Sequence, residues 1–240
     1  MMYNVERQFD AATGRLAKEL SMIGFYNHTV ILTYISLLIS TIGIFLAPRY
    51  PFLALLCLLL SGVCDMFDGM IARTRKTSTD EEKRFGIQLD SLCDIVCFGV
   101  LPAIIGACHF PLNRTLTAQS TVVAILAAFY VLCGLIRLAY FNVTEETRQS
   151  TETGRRTHYL GVPITTAAMV FPLAFVVSRY MLYAGGIIMK LATWVYPAFL
   201  FITAVAFITP VKVRKPHGAG LVIMGVIGLM EIILLVPFLA

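Results

Sequence analysis

The chain has 240 residues, 58% of them hydrophobic and only 14% charged, with a net charge of +5 and a mean hydropathy of +0.80. A soluble domain carries roughly a quarter charged residues, so an ordinary water-soluble globule is excluded and much of the surface must face something apolar. Topology and attraction to anionic lipid account for the basic excess, so no nucleic-acid partner is needed.

Residues 3–23 open the chain with an amphipathic pattern. Val5, Phe9, Ala12, Leu16, Leu20 and Ile23 recur at steps of three and four, with Glu6, Arg7, Asp10, Arg15, Lys18 and Glu19 between them. The spacing predicts a helix lying in the inner membrane interface; the alternative is a cytosolic helix packed on the loops. Both signs of charge and the lack of an early apolar stretch argue against a cleavable signal. The expected organisation is an interfacial helix in 1–28 followed by one integrated transmembrane domain in 29–240.

Seven apolar runs then follow, at about 30–47, 51–72, 86–108, 119–142, 162–184, 191–210 and 218–239. Each approaches the roughly 20 residues that span a bilayer as a helix. The runs are continuous rather than alternating, which favours helices over a barrel, because a helix satisfies its own backbone in lipid. The expected fold is therefore all-α: a polytopic membrane bundle of about 6–7 transmembrane helices. Pro48 and Pro51 bracket the first tight turn, and Pro111 and Asn113 mark the turn after the third run. The six cysteines fall inside or at the ends of apolar runs without a CxxC pair, as small core residues do.

With a cytoplasmic N-terminus, the inside segments 1–29, 73–85, 143–161 and 211–217 hold fourteen of the nineteen Lys and Arg residues. The outside loops hold Arg49, Arg114, Arg179 and Lys190, and Arg137 lies within the fourth run. The positive-inside rule predicts a multi-pass protein of the cell membrane with its N-terminus inside.

Four aspartates carry the chemistry. Asp65 and Asp68 lie near the end of the second run, spaced i, i+3; Asp90 and Asp94 lie near the start of the third, spaced i, i+4. Each pair shares one helix face, and the short connection makes the two helices antiparallel neighbours, so all four carboxylates converge near the cytoplasmic surface. An Asp at the bilayer centre costs roughly 2.5–3.5 kcal/mol, and like charges at close range add to that. Hard divalent cations such as Mg²⁺, Mn²⁺ or Ca²⁺ would offset the cost. Two other readings are a set of interhelical hydrogen bonds between partly protonated carboxyls and a divalent-cation transport site. Gly69 and Gly86 let a ligand approach the backbone, and Arg73 offers two donors to a phosphate. Together these fit a nucleotide diphosphate better than a bare ion.

The stretch Asp65-x-x-Asp68-Gly69-x-x-Ala72-Arg73, followed by Gly86-x-x-x-Asp90-x-x-x-Asp94, resembles the signature of the CDP-alcohol phosphotransferases. Within that family, LDSLCDIVCFGVLPA (89–103), LIRLAYFN (135–142) and YLGVPITTAA (159–168) are similar to elements of the phosphatidylserine synthases. There are departures. Twelve residues separate Arg73 from Gly86 where the family usually has eight, which leaves open whether Ser78 or Thr79 faces the ligand. Lys83, Cys97, Leu101 and Tyr140 also replace the usual residues.

The resemblance implies transfer of a phosphatidyl group from CDP-diacylglycerol to L-serine at the cytoplasmic face, with release of CMP. It implies two divalent cations, Mg²⁺ or Mn²⁺, on Asp65, Asp68, Asp90 and Asp94, with Asp94 also the general base for the attacking hydroxyl. Gly69, Ala72, Arg73, Gly86 and, in the first run, Thr33 would hold the CDP part, and the assembly would be a homodimer. Serine's carboxylate needs a cation, and an intramembrane arginine is a functional candidate by default. Arg137, with Asn142 beyond it, is the expected acceptor site; the alternative is that Arg137 snorkels to lipid phosphate or pairs with an acidic loop residue. Glycerol 3-phosphate or inositol phosphate is the competing acceptor, for which Arg155 and Arg156 would supply charge. Glu231 in the last run belongs to no motif.

Overall fold

The computed structural model describes residues 24, 28–72, 79–109, 118–151, 158–214 and 219–238. The amphipathic helix expected over 3–23, Arg73, Ser78, and the Arg155–Arg156 pair lie outside them.

The described residues form a helical bundle. In chain order the elements are α1 (His28–Leu46), α2 (Pro51–Ala72), α3 (Asp80–Asp94), a π-helical segment (Ile95–Val100), α4 (Leu101–His109), α5 (Ala118–Thr151), β1 (His158–Leu160), a 3₁₀ turn (Ile164–Thr166), α6 (Ala167–Ala184), α7 (Gly186–Ile208), β2 (Lys212–Arg214), α8 (Ala219–Leu235) and a closing 3₁₀ turn (Val236–Phe238). Five stretches are long and apolar enough to cross a membrane: Pro51–Asp68, Asp80–Cys108, Ala118–Arg148, Ile164–Ala184 and Lys190–Ile208. The apolar parts of α1 and α8, Val30–Leu46 and Gly225–Leu235, are shorter. The chain is a multi-pass membrane protein.

Local chemistry sets the ends. Pro51 occupies the first helical position of α2, where its missing N–H costs nothing. Thr79 caps α3: its hydroxyl accepts from the Glu82 amide at 3.2 Å while the Glu82 carboxylate accepts from the Thr79 amide at 3.2 Å. Asp80, Glu81 and Glu82 in the first turn also suit the positive end of the helix dipole. The third helix therefore begins at Asp80 rather than at the apolar boundary near 86. The fourth is also longer than expected, since α5 runs on to Thr151.

The π-helical segment has an identifiable cause. Pro102 has no N–H to give the Phe98 carbonyl, its acceptor one α-turn earlier. The ladder widens, and the Leu101 amide reaches back to Val96 instead. The buried Tyr130 hydroxyl of α5 donates to the Phe98 carbonyl, and the buried Tyr196 hydroxyl of α7 donates to the Pro102 carbonyl at 2.9 Å. Both tyrosines belong to an aromatic core. Tyr130 meets Phe171 edge-on at 5.2 Å and Phe207 at 5.5 Å, and Phe171 meets Tyr196 at 5.2 Å. Helices α3 to α7 are thereby locked around the segment that follows Asp94.

Two glycines mark close approaches. A Cβ at Gly62 would come within 2.7 Å of the Ala168 Cβ, so α2 and α6 pack backbone to backbone there. At the aspartate end, β1 and β2 pair antiparallel with Tyr159 opposite Val213, a small clasp absent from the all-helical expectation. Gly161 follows β1 with φ +78°, and a Cβ on it would lie 2.8 Å from the Phe207 carbonyl oxygen. Its own amide donates to the Val211 carbonyl at 2.8 Å. Left-handed backbone costs an L-residue roughly 1–2 kcal/mol before any clash. We expect Gly161→Ala to lower the thermal unfolding midpoint in detergent; an unchanged midpoint would mean that the clasp is not rigid.

Candidate active site

The α2–α3 pair brings the aspartates together. Carboxylate oxygens of Asp65, Asp68 and Asp90 all lie within 4.8 Å of one another, and all three side chains are half-buried. Asp94 joins them, close enough to Asp65, Asp90 and Asp68 for their charges to act on its carboxyl. The i, i+3 and i, i+4 spacings therefore do what helix geometry requires.

Arg137 is the nearby counter-charge. It is buried in α5, 9% exposed, close enough for its guanidinium to act on both Asp65 and Asp94. Its guanidinium carbon also sits 5.2 Å from the Phe141 ring centre. One guanidinium cannot balance four carboxylates, and uncompensated charge at this depth is costly. Three acidic oxygens within 4.8 Å suit a hard cation, which takes oxygen ligands at about 2.0–2.6 Å. The residues thus fit divalent-cation binding on their geometry and their donor chemistry.

The surroundings place the other expected residues. A Cβ at Gly86, one turn before Asp90, would meet nothing within 4 Å among the described residues, so α3 is open on that flank. Gly69 and Ala72 lie on the last turn of α2, directly after the first aspartate pair. Thr33 is buried in α1 at 6% exposure. The antiparallel register of α1 against α2 is set by the Ser40 and Ser61 hydroxyls at 2.6 Å and by the Ser36 hydroxyl donating to the Ser61 carbonyl at 3.4 Å. That register carries Thr33 to the level of Cys64 and Asp65.

Asn142 is engaged with α3. Its amide nitrogen donates to the Ser91 hydroxyl at 2.9 Å, and that hydroxyl faces the Asn142 carbonyl oxygen at 3.2 Å. Ser91 adjoins Asp90, so this pair fixes the rotation of α3 on α5. Interhelical hydrogen bonds in membranes contribute about 0.6–2 kcal/mol. We expect Asn142→Ala to lower turnover several-fold and to lower the thermal midpoint, with less change in the Michaelis constants. A large Michaelis effect with an unchanged midpoint would instead make Asn142 a direct acceptor contact.

Sequence reasoning missed Ser91 and the hydroxyl seam of Ser36, Ser40 and Ser61. Ser36 also touches the Cys97 thiol, at 3.6 Å, one turn past Asp94. Small polar residues recurring at i, i+4 in an apolar run were the available signal.

A sequence model of CDP-alcohol phosphatidyltransferases matches residues 26–211. The chain belongs to the CDP-alcohol phosphatidyltransferase family. Membership in that family makes the chain an enzyme. A CDP-diacylglycerol–serine O-phosphatidyltransferase of Saccharomyces cerevisiae is 38% identical over 128 residues, covering 52% of this chain and 42% of the yeast protein. One of Helicobacter pylori strain J99 is 31% identical over 212 residues, covering 79% of this chain and 83% of that protein. An archaetidylserine synthase of Methanothermobacter thermautotrophicus is 30% identical over 156 residues, covering 65% of this chain and 58% of the relative. No solved structure gives a significant match.

Proposed function

We propose that the chain transfers the phosphatidyl group of CDP-diacylglycerol to the hydroxyl of L-serine, giving phosphatidylserine and CMP. The observation that carries the reading is the gathering of four carboxylates at one end of the bundle, beside the open flank at Gly86. Relatives named for serine phosphatidyl transfer support the choice of acceptor.

In this reading Asp65, Asp68, Asp90 and Asp94 hold two divalent cations, Mg²⁺ or Mn²⁺, which when bound neutralise the diphosphate and stabilise the departing CMP. Gly69 and Gly86 let the diphosphate approach the helix backbones, while Ala72, Arg73 and Thr33 bound the rest of the CDP pocket. Asp94 accepts the serine hydroxyl proton. The serine oxygen bonds to the phosphatidyl phosphorus, and the bond from that phosphorus to the CMP oxygen breaks, with inversion. Arg137 pairs with the serine carboxylate, and Asn142 holds α3 in register beside it. The basic excess of the segments at the aspartate end supports a cytoplasmic active site and N-terminus. The family resemblance supports a homodimer.

The test is CMP release by the purified protein given CDP-diacylglycerol with serine, glycerol 3-phosphate or inositol phosphate in turn. Serine is expected to be the productive acceptor; release with a phosphorylated alcohol alone would overturn the assignment. Arg137→Ala should raise the Michaelis constant for serine at least about tenfold, as loss of a charge-assisted pair does. An unchanged constant would remove Arg137 from the acceptor site.

A further inference from the structure

The end of the bundle opposite the aspartates holds a cavity that the reaction does not use. It is an open depression of about 520 Å³ lined by Gln119, Leu182, Lys190, Thr193 and Trp194. Chain direction fixes its place. The aspartates lie where α2 ends and α3 begins, which is also where α5 and α7 finish. The start of α5, the end of α6 and the start of α7 therefore meet at the far end. Membrane helices begin and end there, so the cavity opens at the level of lipid headgroups.

The exposed charge at this end is one-sided, since Glu231, one turn from the end of α8, is buried. No Asp or Glu occurs between Asp94 and Glu145 or between Glu152 and Glu231. The connections at the far end thus contribute cations and no carboxylate. Lys190 is exposed and forms no ion pair among the described residues. The Thr193 hydroxyl is already committed to the Lys190 carbonyl at 2.9 Å, which leaves the Lys190 ammonium and the Gln119 amide as the other polar groups of the lining. Leu182 and the indole of Trp194, 40% exposed, make the rest of the wall apolar.

We propose that this cavity binds the headgroup of an anionic phospholipid from the leaflet at that end. Its phosphate pairs with Lys190, and its glycerol and upper acyl carbons lie on Leu182 and Trp194. A single cation beside an apolar wall suits a phosphodiester attached to acyl chains better than a free phosphate dianion. Lysine and tryptophan at helix ends are the residues that meet headgroups. The inference rests on the membrane-spanning architecture and is independent of the acceptor used at the aspartates.

Trp194 is the only tryptophan in the chain, so its fluorescence reports on this cavity alone. The full chain in phosphatidylcholine nanodiscs would be titrated with acyl-brominated phosphatidylglycerol or with phosphatidylcholine brominated at the same positions. We expect saturable quenching with a preference of roughly fivefold for the anionic lipid, the effect of one lysine at a membrane surface. Lys190→Gln should remove the preference and Lys190→Arg should keep it, both without loss of CMP release. Equal quenching by the two lipids, or an undiminished preference in Lys190→Gln, would overturn the proposal. So would loss of the preference on adding soluble glycerol phosphate, which would assign the cavity to a free phosphate ester.

Discussion

An Asp94→Asn protein is expected to release CMP at least about a hundredfold more slowly than the unaltered chain, with full folding retained. A positioned general base contributes about 10²–10⁴ in rate, and asparagine keeps the size and one acceptor oxygen while it cannot take the proton. The site explains why Asp94 has the largest effect. It is the last of the four aspartates, followed at once by the π-helical segment that Tyr130 ties to α5 and by the start of α4 that Tyr196 ties to α7. Its carboxyl lies in the field of the other three aspartates and of Arg137, the residue proposed to hold the acceptor. The asparagine variant removes one negative charge from a crowded cluster, so its thermal midpoint should be equal or higher. A gain in stability together with a loss of turnover would mark a group held against its own repulsion for the sake of chemistry. Turnover within threefold of the unaltered chain would remove Asp94 as the base and would shift the proton to another acceptor in the cluster.

The same cluster shows what was readable from the sequence. Asp65, Asp68, Asp90 and Asp94 were legible because helix periodicity converts spacing into a shared face, and a short connection forces two apolar helices to be antiparallel. The apolar runs were legible because lipid leaves a spanning backbone little choice. The role of Pro102 was not, since a proline near the start of α4 looks ordinary until Tyr130, 28 positions on, donates to the carbonyl it leaves without a donor. The Ser91–Asn142 pair is separated by 51 residues, and neither side chain alone marks the contact. Strands β1 and β2 span only three residues each, too short for a period-two pattern. Helix α3 outran its apolar segment because Thr79 and Glu82 cap it in water, a signal that hydropathy alone passes over. In each case the missing information lay in a partner distant along the chain or in a polar end beyond the membrane.

Removing divalent cations is expected to abolish CMP release, and adding back Mg²⁺ or Mn²⁺ to restore it. The argument is electrostatic. Three carboxylate oxygens within 4.8 Å, a fourth carboxyl beside them and one buried guanidinium leave a net negative cluster next to the place where a diphosphate must sit. Without further positive charge, that cluster repels the donor. Oxygen-only ligands favour hard cations, so Mg²⁺ and Mn²⁺ should restore activity where Na⁺ and K⁺ at equal ionic strength do not. A second readout separates binding from catalysis. A ligand that binds only the folded chain stabilises it by about 2.7 kcal/mol at a hundred times its dissociation constant, so Mg²⁺ should raise the thermal midpoint of the unaltered protein. Asp65→Asn or Asp90→Asn should blunt that rise, and the Lys190→Gln change at the far end should not. Full activity in excess chelator, or a midpoint insensitive to Mg²⁺ in the unaltered chain and both aspartate variants alike, would mean that the carboxylates share protons rather than cations. The cluster would then be a set of interhelical hydrogen bonds, and the proposed phosphatidyl transfer would lose its electrostatic basis.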